Sequence, residues 1–196
     1  MTVRVLIADD HPAFTLGVRF GLEANGLVVV DAVHDGSAAI DRARDARPDA
    51  VVLDVRMPTS GLDACRSIID EGSCRAVVML TTYDDPTTRR RAREAGARAF
   101  LTKETPVGDL AAVIELLVRE PRLNLISVPE LPRLTSRERE VLAGLSEGLS
   151  NKAIATRLGL SPETVKDHCS ALFAKLEVTD RHQAVREAQR LGMTGP

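Results

Sequence analysis

Five times between residues 3 and 119, a short apolar run is followed by a stretch of helical spacing, and this alternation constrains the chain more than any other feature. The runs read as strands over 3–8, 28–32, 49–54, 76–81 and 98–102, with helices near 12–24, 36–46, 61–71, 86–95 and 106–119. Breakers such as Asn25-Gly26, Arg47-Pro48 and Ala95-Gly96 separate them. Strict alternation predicts an α/β unit: a five-stranded, doubly wound parallel sheet with helices on both faces and a ligand site beyond the carboxyl ends of the strands.

Polar residues collect at that edge. Val3-Arg-Val-Leu-Ile-Ala-Asp9 runs into the acidic pair Asp9-Asp10, and Asp49-Ala-Val-Val-Leu-Asp54 ends in a third carboxylate. Ala76-Val-Val-Met-Leu-Thr81 ends in a hydroxyl and Arg98-Ala-Phe-Leu-Thr-Lys103 in an amine. Any one of these aspartates reads equally well as a helix cap or turn residue. The set reads differently, because turn chemistry gives no reason for acid, acid, hydroxyl and amine at successive strand ends. Carboxylates gathered there persist where a cation or reacting group offsets them, so the five groups outline a site for a divalent metal and a phosphoryl group.

Composition narrows the class. The 44% hydrophobic and 28% charged content is that of a globular chain with a soluble surface. No stretch approaches the roughly 20 apolar residues of a membrane span and the N-terminus enters a strand at once, so the expectation is a cytoplasmic protein with no membrane contact. Cys65, Cys74 and Cys169 form no CxxC and read as thiols in a reducing compartment. Residues 1–120 carry 15 basic and 19 acidic side chains, residues 121–196 carry 11 and 9. The direction of that asymmetry suits an acidic metal site joined to a nucleic-acid reader.

The pattern changes after Glu120-Pro121, which stops the last helix. Residues 120–133 read as a linker, with Leu123, Leu125, Ile126 and Val128 packing on a neighbouring surface and Pro129 and Pro132 bracketing its end. Four short helices follow. Thr135-Ser-Arg-Glu138 is a capping box for the first, Ser150 or Asn151 caps the second, Ser161-Pro162 opens the third and Asp180 caps the fourth. Gly159-Leu-Ser161 reads as the tight turn of a helix-turn-helix, whose following helix lies in the DNA major groove.

The chain resembles a two-component response regulator of the NarL/FixJ type, a receiver domain joined to a LuxR-type helix-turn-helix. The likeness rests on Leu6-Ile-Ala-Asp-Asp-His-Pro12, Leu53-Asp-Val-Arg-Met-Pro58, Leu80-Thr-Thr-Tyr-Asp-Asp85 and Ala99-Phe-Leu-Thr-Lys103 in the first half. In the second it rests on Leu134-Thr-Ser-Arg-Glu-Arg-Glu-Val-Leu142, Leu149-Ser-Asn-Lys-Ala-Ile-Ala155 and Thr164-Val-Lys-Asp-His168. The resemblance implies a flavodoxin-like receiver over 1–119 and a small all-α, four-helix DNA-binding domain over 134–196.

It also implies roles. Asp54 would accept a phosphoryl group from a sensor histidine kinase. Asp10 and Asp54 would hold Mg²⁺ directly, Asp9 through water, and the main-chain carbonyl of Arg56 would complete the protein ligands. Lys103 and Thr81 would contact the phosphoryl oxygens, with Phe100 at the aromatic switch position and Arg56 and Tyr83 flanking the site. Thr164, Val165, Lys166, Asp167 and Ser170 would face DNA from a recognition helix over 162–175, with Lys152 and Arg157 on the preceding helix. Phosphorylation would favour a homodimer on an inverted-repeat operator, with the last helix as a dimer face and RNA polymerase as a further partner. Such a chain is a regulator rather than an enzyme, beyond catalysing its own phosphorylation and dephosphorylation.

One departure stands out. Where the family has Met-Pro-x-Met-Asp-Gly, this chain reads Met57-Pro-Thr-Ser-Gly61, one residue shorter and with Ser60 expected to cap the next helix in place of the Asp. Two rival readings stay open on the sequence: a DNA-binding regulator indifferent to phosphorylation, and a receiver acting mainly as a phosphate relay.

Overall fold

The structure is a computed structural model and describes residues 2–82, 84–128 and 131–194. Tyr83 and Pro129, named above, lie outside the described residues. The chain divides into two compact units, one over residues 1–84 and 88–128, the other over 85–87 and 129–196.

The first unit alternates as expected: β1 (Arg4–Ala8), α1 (Pro12–Ala24), β2 (Val28–Val33), α2 (Gly36–Ala46), β3 (Ala50–Asp54), α3 (Gly61–Asp70), β4 (Ala76–Thr81), α4 (Pro86–Glu94), β5 (Ala99–Thr102) and α5 (Val107–Arg119). The strands pair in the order β2-β1-β3-β4-β5, all parallel. Every residue of β3 and β4 is buried, as a sheet covered on both faces requires. Successive side chains point to opposite faces, and the cores follow that period of two. Leu6, Val51, Leu53, Val77, Met79 and Phe100 pack with Leu62, Cys65 and Ile68 of α3 and Ala39 of α2. Val5, Ile7, Val52, Val78 and Leu80 pack on the other face with Leu22 of α1 and Leu110, Ile114 and Leu117 of α5. Fully burying a Leu or Ile side chain contributes about 1.5–3 kcal/mol, so the two layers dominate the stability of this unit. Strand β1 has β2 on one side and β3 on the other, which puts the reversal of strand order beside Asp9 and Asp54.

The segment after α5 stays with this unit as far as Val128, nine residues past the expected end of the domain. The cause is Arg98. Its guanidinium donates to the carbonyls of Leu123 (2.8 Å), Arg75 (3.2 Å) and Glu120, while its own carbonyl accepts the N–H of Leu125 at 2.7 Å. Ile126 is buried in the α3-side core, with Leu123 and Val128 packed against the two cores; Leu125 is exposed.

The second unit holds α6 (Ser136–Ser146), α7 (Asn151–Leu158), α8 (Pro162–Lys175) and α9 (Arg181–Arg190). Its core joins Val141, Leu142, Ile154, Val165, Leu172 and Ala184. The Thr135 hydroxyl and Glu138 form the reciprocal capping box, Ser150 rather than Asn151 caps α7, Ser161 caps α8 and Asp180 caps α9. Gly159 ends α7 at φ +66°, a conformation that costs glycine little, and this permits the sharp turn into α8. Among the described residues no helix is long and apolar enough to cross a membrane.

Candidate functional site

Four strand ends meet over the crevice of the first unit. Asp9 and Asp54 are buried, at 2% and 4% exposure, whereas Asp10 is open to solvent. Lys103 reaches across the sheet edge from β5, held there by its N–H donating to the Thr81 carbonyl at 2.8 Å. Its Nζ lies 2.7 Å from Asp9 Oδ2 and 2.8 Å from Asp54 Oδ2, and 4.9 Å from the centroid of the Phe14 ring. Burial works against the charged form of Lys103, but the two carboxylates outweigh it and raise its pKa. For Asp54 burial wins over the hydrogen bond from Lys103, and its pKa is pushed up. A carboxylate in that state is poorly solvated, and a cation placed beside it relieves the cost.

The expected set is thus brought together: Asp9, Asp10, Asp54 and Lys103 surround one point, and buried Thr81 closes β4 beside them. The Arg56 N–H donates to Asp54 Oδ1 at 3.3 Å, which ties the start of the shortened loop to the carboxylate. The fit to a hard divalent cation is good, since ligand atoms of Asp9, Asp10 and Asp54 lie within 4.8 Å of one another and Lys103 offsets only one of three negative charges. Phe100 is buried at 3% exposure, with the Arg89 guanidinium 5.1 Å from its ring centroid.

The loop departs from one expectation. Ser60 stands at the N-cap of α3 but its side chain makes no capping hydrogen bond. The backbone does the work instead. The Gly61 N–H donates to the Val55 carbonyl at 3.2 Å, and a Cβ on Gly61 would lie 1.8 Å from the Asp54 carbonyl oxygen. The loop folds back so tightly on β3 that only glycine fits, and the side chain of Asp35 holds its outer edge by accepting the Thr59 N–H at 3.2 Å.

Sequence reasoning passed over two neighbours. His11 Nδ1 is 2.7 Å from Asp10 Oδ1 and 3.1 Å from Asp9 Oδ1, and Phe14 covers Lys103. His11 is the N-cap of α1 and Phe14 lies in its first turn, both close to the acidic pair in sequence, and that adjacency was the available signal.

In the second unit α8 presents Lys166, Asp167 and Ser170 to solvent, with Thr164 half-buried and its hydroxyl 2.8 Å from that of Ser161. Lys166 pairs with Glu163 at 3.1 Å, an exposed contact that a phosphate or base can replace. On α7 Lys152 is exposed, and Arg157 pairs with Glu147 at 2.6 Å. Val165 must be withdrawn from the DNA-facing set. It is 0% exposed, because it begins the stripe Val165, Cys169, Leu172, Leu176 that packs into the core. Behind that stripe, buried Glu138 accepts from Lys175 Nζ at 2.6 Å and the Thr135 N–H at 2.7 Å, fastening α6 to the end of α8. The three cysteines are free, and burial pushes the Cys65 and Cys74 thiols up to about 12.

Comparison with known proteins agrees with both halves. Residues 5–115 match the response regulator receiver domain and residues 132–188 the bacterial regulatory proteins of the luxR family. The chain is 36% identical to the probable transcriptional regulatory protein NarL of Mycobacterium tuberculosis, over 96% of this chain and 94% of that protein. It is 32% identical to the transcriptional regulatory protein DesR of Bacillus subtilis, over 97% and 98% of the two chains. The fold of the RcsB response regulator of Salmonella typhimurium superposes with a TM-score of 0.80 at 23% identity, covering 96% of this chain and all of that one. A receiver edge carrying acids, hydroxyl and lysine, followed by a LuxR-type helix-turn-helix, makes this chain a member of the NarL/FixJ family of DNA-binding response regulators.

Proposed function

We propose that this regulator is switched by phosphorylation of Asp54 and, once phosphorylated, binds an inverted-repeat operator as a homodimer to control transcription by RNA polymerase. The observation that carries the reading is Lys103, an ammonium clamped between buried Asp9 and Asp54 in a pocket that keeps surplus negative charge. A sensor histidine kinase would supply the group. The N–P bond of its phosphohistidine breaks as an Asp54 carboxylate oxygen forms the new O–P bond, and the freed histidine takes up a proton.

Asp10 and Asp54 would hold Mg²⁺ directly, Asp9 through water, and the Arg56 carbonyl would complete the protein ligands. The ion, when bound, supplies a Lewis acid that offsets charge on the carboxylates and phosphoryl oxygens. Lys103 exchanges its carboxylate partners for a phosphoryl oxygen, and the Thr81 hydroxyl donates to another. Phe100 and Arg89 lie along the path by which a shift at Thr81 reaches the α4–β5 face. On DNA, Lys166, Asp167 and Ser170 read bases or phosphates, Thr164 contacts the backbone, and Lys152 and Arg157 hold phosphates from α7.

Labelling with acetyl phosphate and Mg²⁺, read by mass spectrometry, tests the chemistry: Asp54 takes the label and Asp54→Asn takes none. Retained labelling of that variant refutes the assignment. Light scattering and operator titration with and without beryllofluoride test the switch, which fails if mass and affinity both stay fixed with Asp54 occupied.

A further inference from the structure

Imidazole is out of place in a pocket built only for magnesium. His11 lies against the acidic cluster closely enough that one ligand atom from each of Asp9, Asp10, His11 and Asp54 falls within 4.8 Å of all the others. Its backbone is fixed. The His11 N–H donates to Asp9 Oδ1 at 2.9 Å, and its carbonyl accepts both the N–H and the hydroxyl of Thr15 at 3.0 Å. The ring itself is 66% exposed at the mouth of the crevice, so it can turn either nitrogen inward without leaving a packed environment.

We propose that His11 is a nitrogen ligand of the metal held by Asp9, Asp10 and Asp54, and that it biases the pocket toward first-row transition ions such as Mn²⁺ over Mg²⁺. This rests on the metal-assisted reading of the same pocket given above. The chemistry follows from the donor set. Mg²⁺ takes hard oxygens and sheds its waters reluctantly, so an imidazole adds little to its binding. Manganese shares the preference of magnesium for oxygen but tolerates an imidazole nitrogen better, affinity for such a site rises through the later divalent ions, and with three carboxylates nearby one nitrogen completes a mixed set. The contacts of His11 Nδ1 with Asp9 Oδ1 and Asp10 Oδ1 hold the ring where those carboxylates would draw an ion. His34 does not compete for this role: its Nδ1 is engaged with the Asp9 carbonyl at 2.7 Å, and it falls outside the cluster of ligand atoms.

The test uses the full chain, Mn²⁺ and Mg²⁺ alone, and the variants His11→Ala and His34→Ala. Calorimetric titration should show Mn²⁺ binding weakened about tenfold in His11→Ala and Mg²⁺ binding changed by less than about twofold. Electron spin echo modulation of bound Mn²⁺ should carry an imidazole ¹⁴N coupling in the wild type and in His34→Ala, and lose it in His11→Ala. Equal weakening of both ions, a wild type without the ¹⁴N coupling, or loss of that coupling in His34→Ala overturns the assignment of His11 while leaving a metal pocket in place. A wild type that binds neither ion overturns the metal-assisted reading and the His11 assignment together.

Discussion

Replacing Lys103 with alanine isolates what holds the pocket together. Its ammonium is 13% exposed and lies within 2.8 Å of two carboxylates that are 3% and 4% exposed, so removal leaves both acids buried and facing each other. Breaking a buried pair in this way costs about 3–5 kcal/mol. The opening beside exposed Asp10 lets water in, which sets the expected loss at the lower end, about 3 kcal/mol at pH 7. The sign of the pH dependence is fixed by Asp54. Burial already raises its pKa, and loss of Lys103 removes the influence that was lowering it. An acid whose folded-state pKa lies above its unfolded value favours folding while protonated and loses that contribution as pH rises. The deficit of the variant is therefore largest at neutral pH and shrinks as pH falls through the raised pKa toward about 4. Magnesium should rescue it from the other side, since an ion at a hundred times its dissociation constant stabilises by about 2.7 kcal/mol. Denaturant titration read by hydrogen exchange in peptides of β1 and β3 confines the measurement to the first unit. A variant whose deficit is the same at pH 4.5 and 7, and indifferent to Mg²⁺, would refute the reasoning.

Asp10→Ala removes a ligand and a repulsive charge together, so metal-dependent labelling of Asp54 should vanish while melting in chelator stays equal or rises. Gly61→Ala puts a methyl group 1.8 Å from the Asp54 carbonyl oxygen; forcing the loop off β3 should cost about 3 kcal/mol and slow labelling, seen in the unfolding midpoint and by mass spectrometry. Val165→Ala should destabilise the second unit by about 1.5–2.5 kcal/mol by calorimetry while leaving base preference unchanged. Lys166→Ala should do the reverse, weakening specific DNA binding by about 1–3 kcal/mol with melting unchanged, as measured on a panel of single-base operator variants at fixed salt.

The sheet and its reactive edge could be read from the sequence because one cause produces both. Strands covered on two faces must be largely apolar, so the polar residues that close four of the five runs, Asp9, Asp54, Thr81 and Lys103, mark the edge where covering stops. What escaped depended on direction rather than position. Thr164, Val165, Lys166 and Asp167 are consecutive, and a helix turns through about 100° per residue, so one of them had to face inward; the partner helix α6 decides which. Ser60 occupies the cap position without capping because the loop approaches α3 at φ −49° and ψ 127°, a backbone turn that residue identity does not encode. His11 was hidden by its own motif: a histidine following two acids reads as a loop residue until the fold bends it back over them.

Arg98 grips the chain leaving α5 through the carbonyls of Glu120 and Leu123, and ties it to the Arg75 carbonyl just ahead of β4. Such an anchor recognises the path of the backbone and is blind to what is attached to it. The side chain at 120 is therefore free to drift over evolutionary time, and the connection can be recoloured for new partners without being loosened. The guanidinium alone is not free: lysine carries the charge but lacks the planar fork that satisfies three carbonyls at once, so a conservative exchange at this one position would undo what wholesale change around it leaves intact.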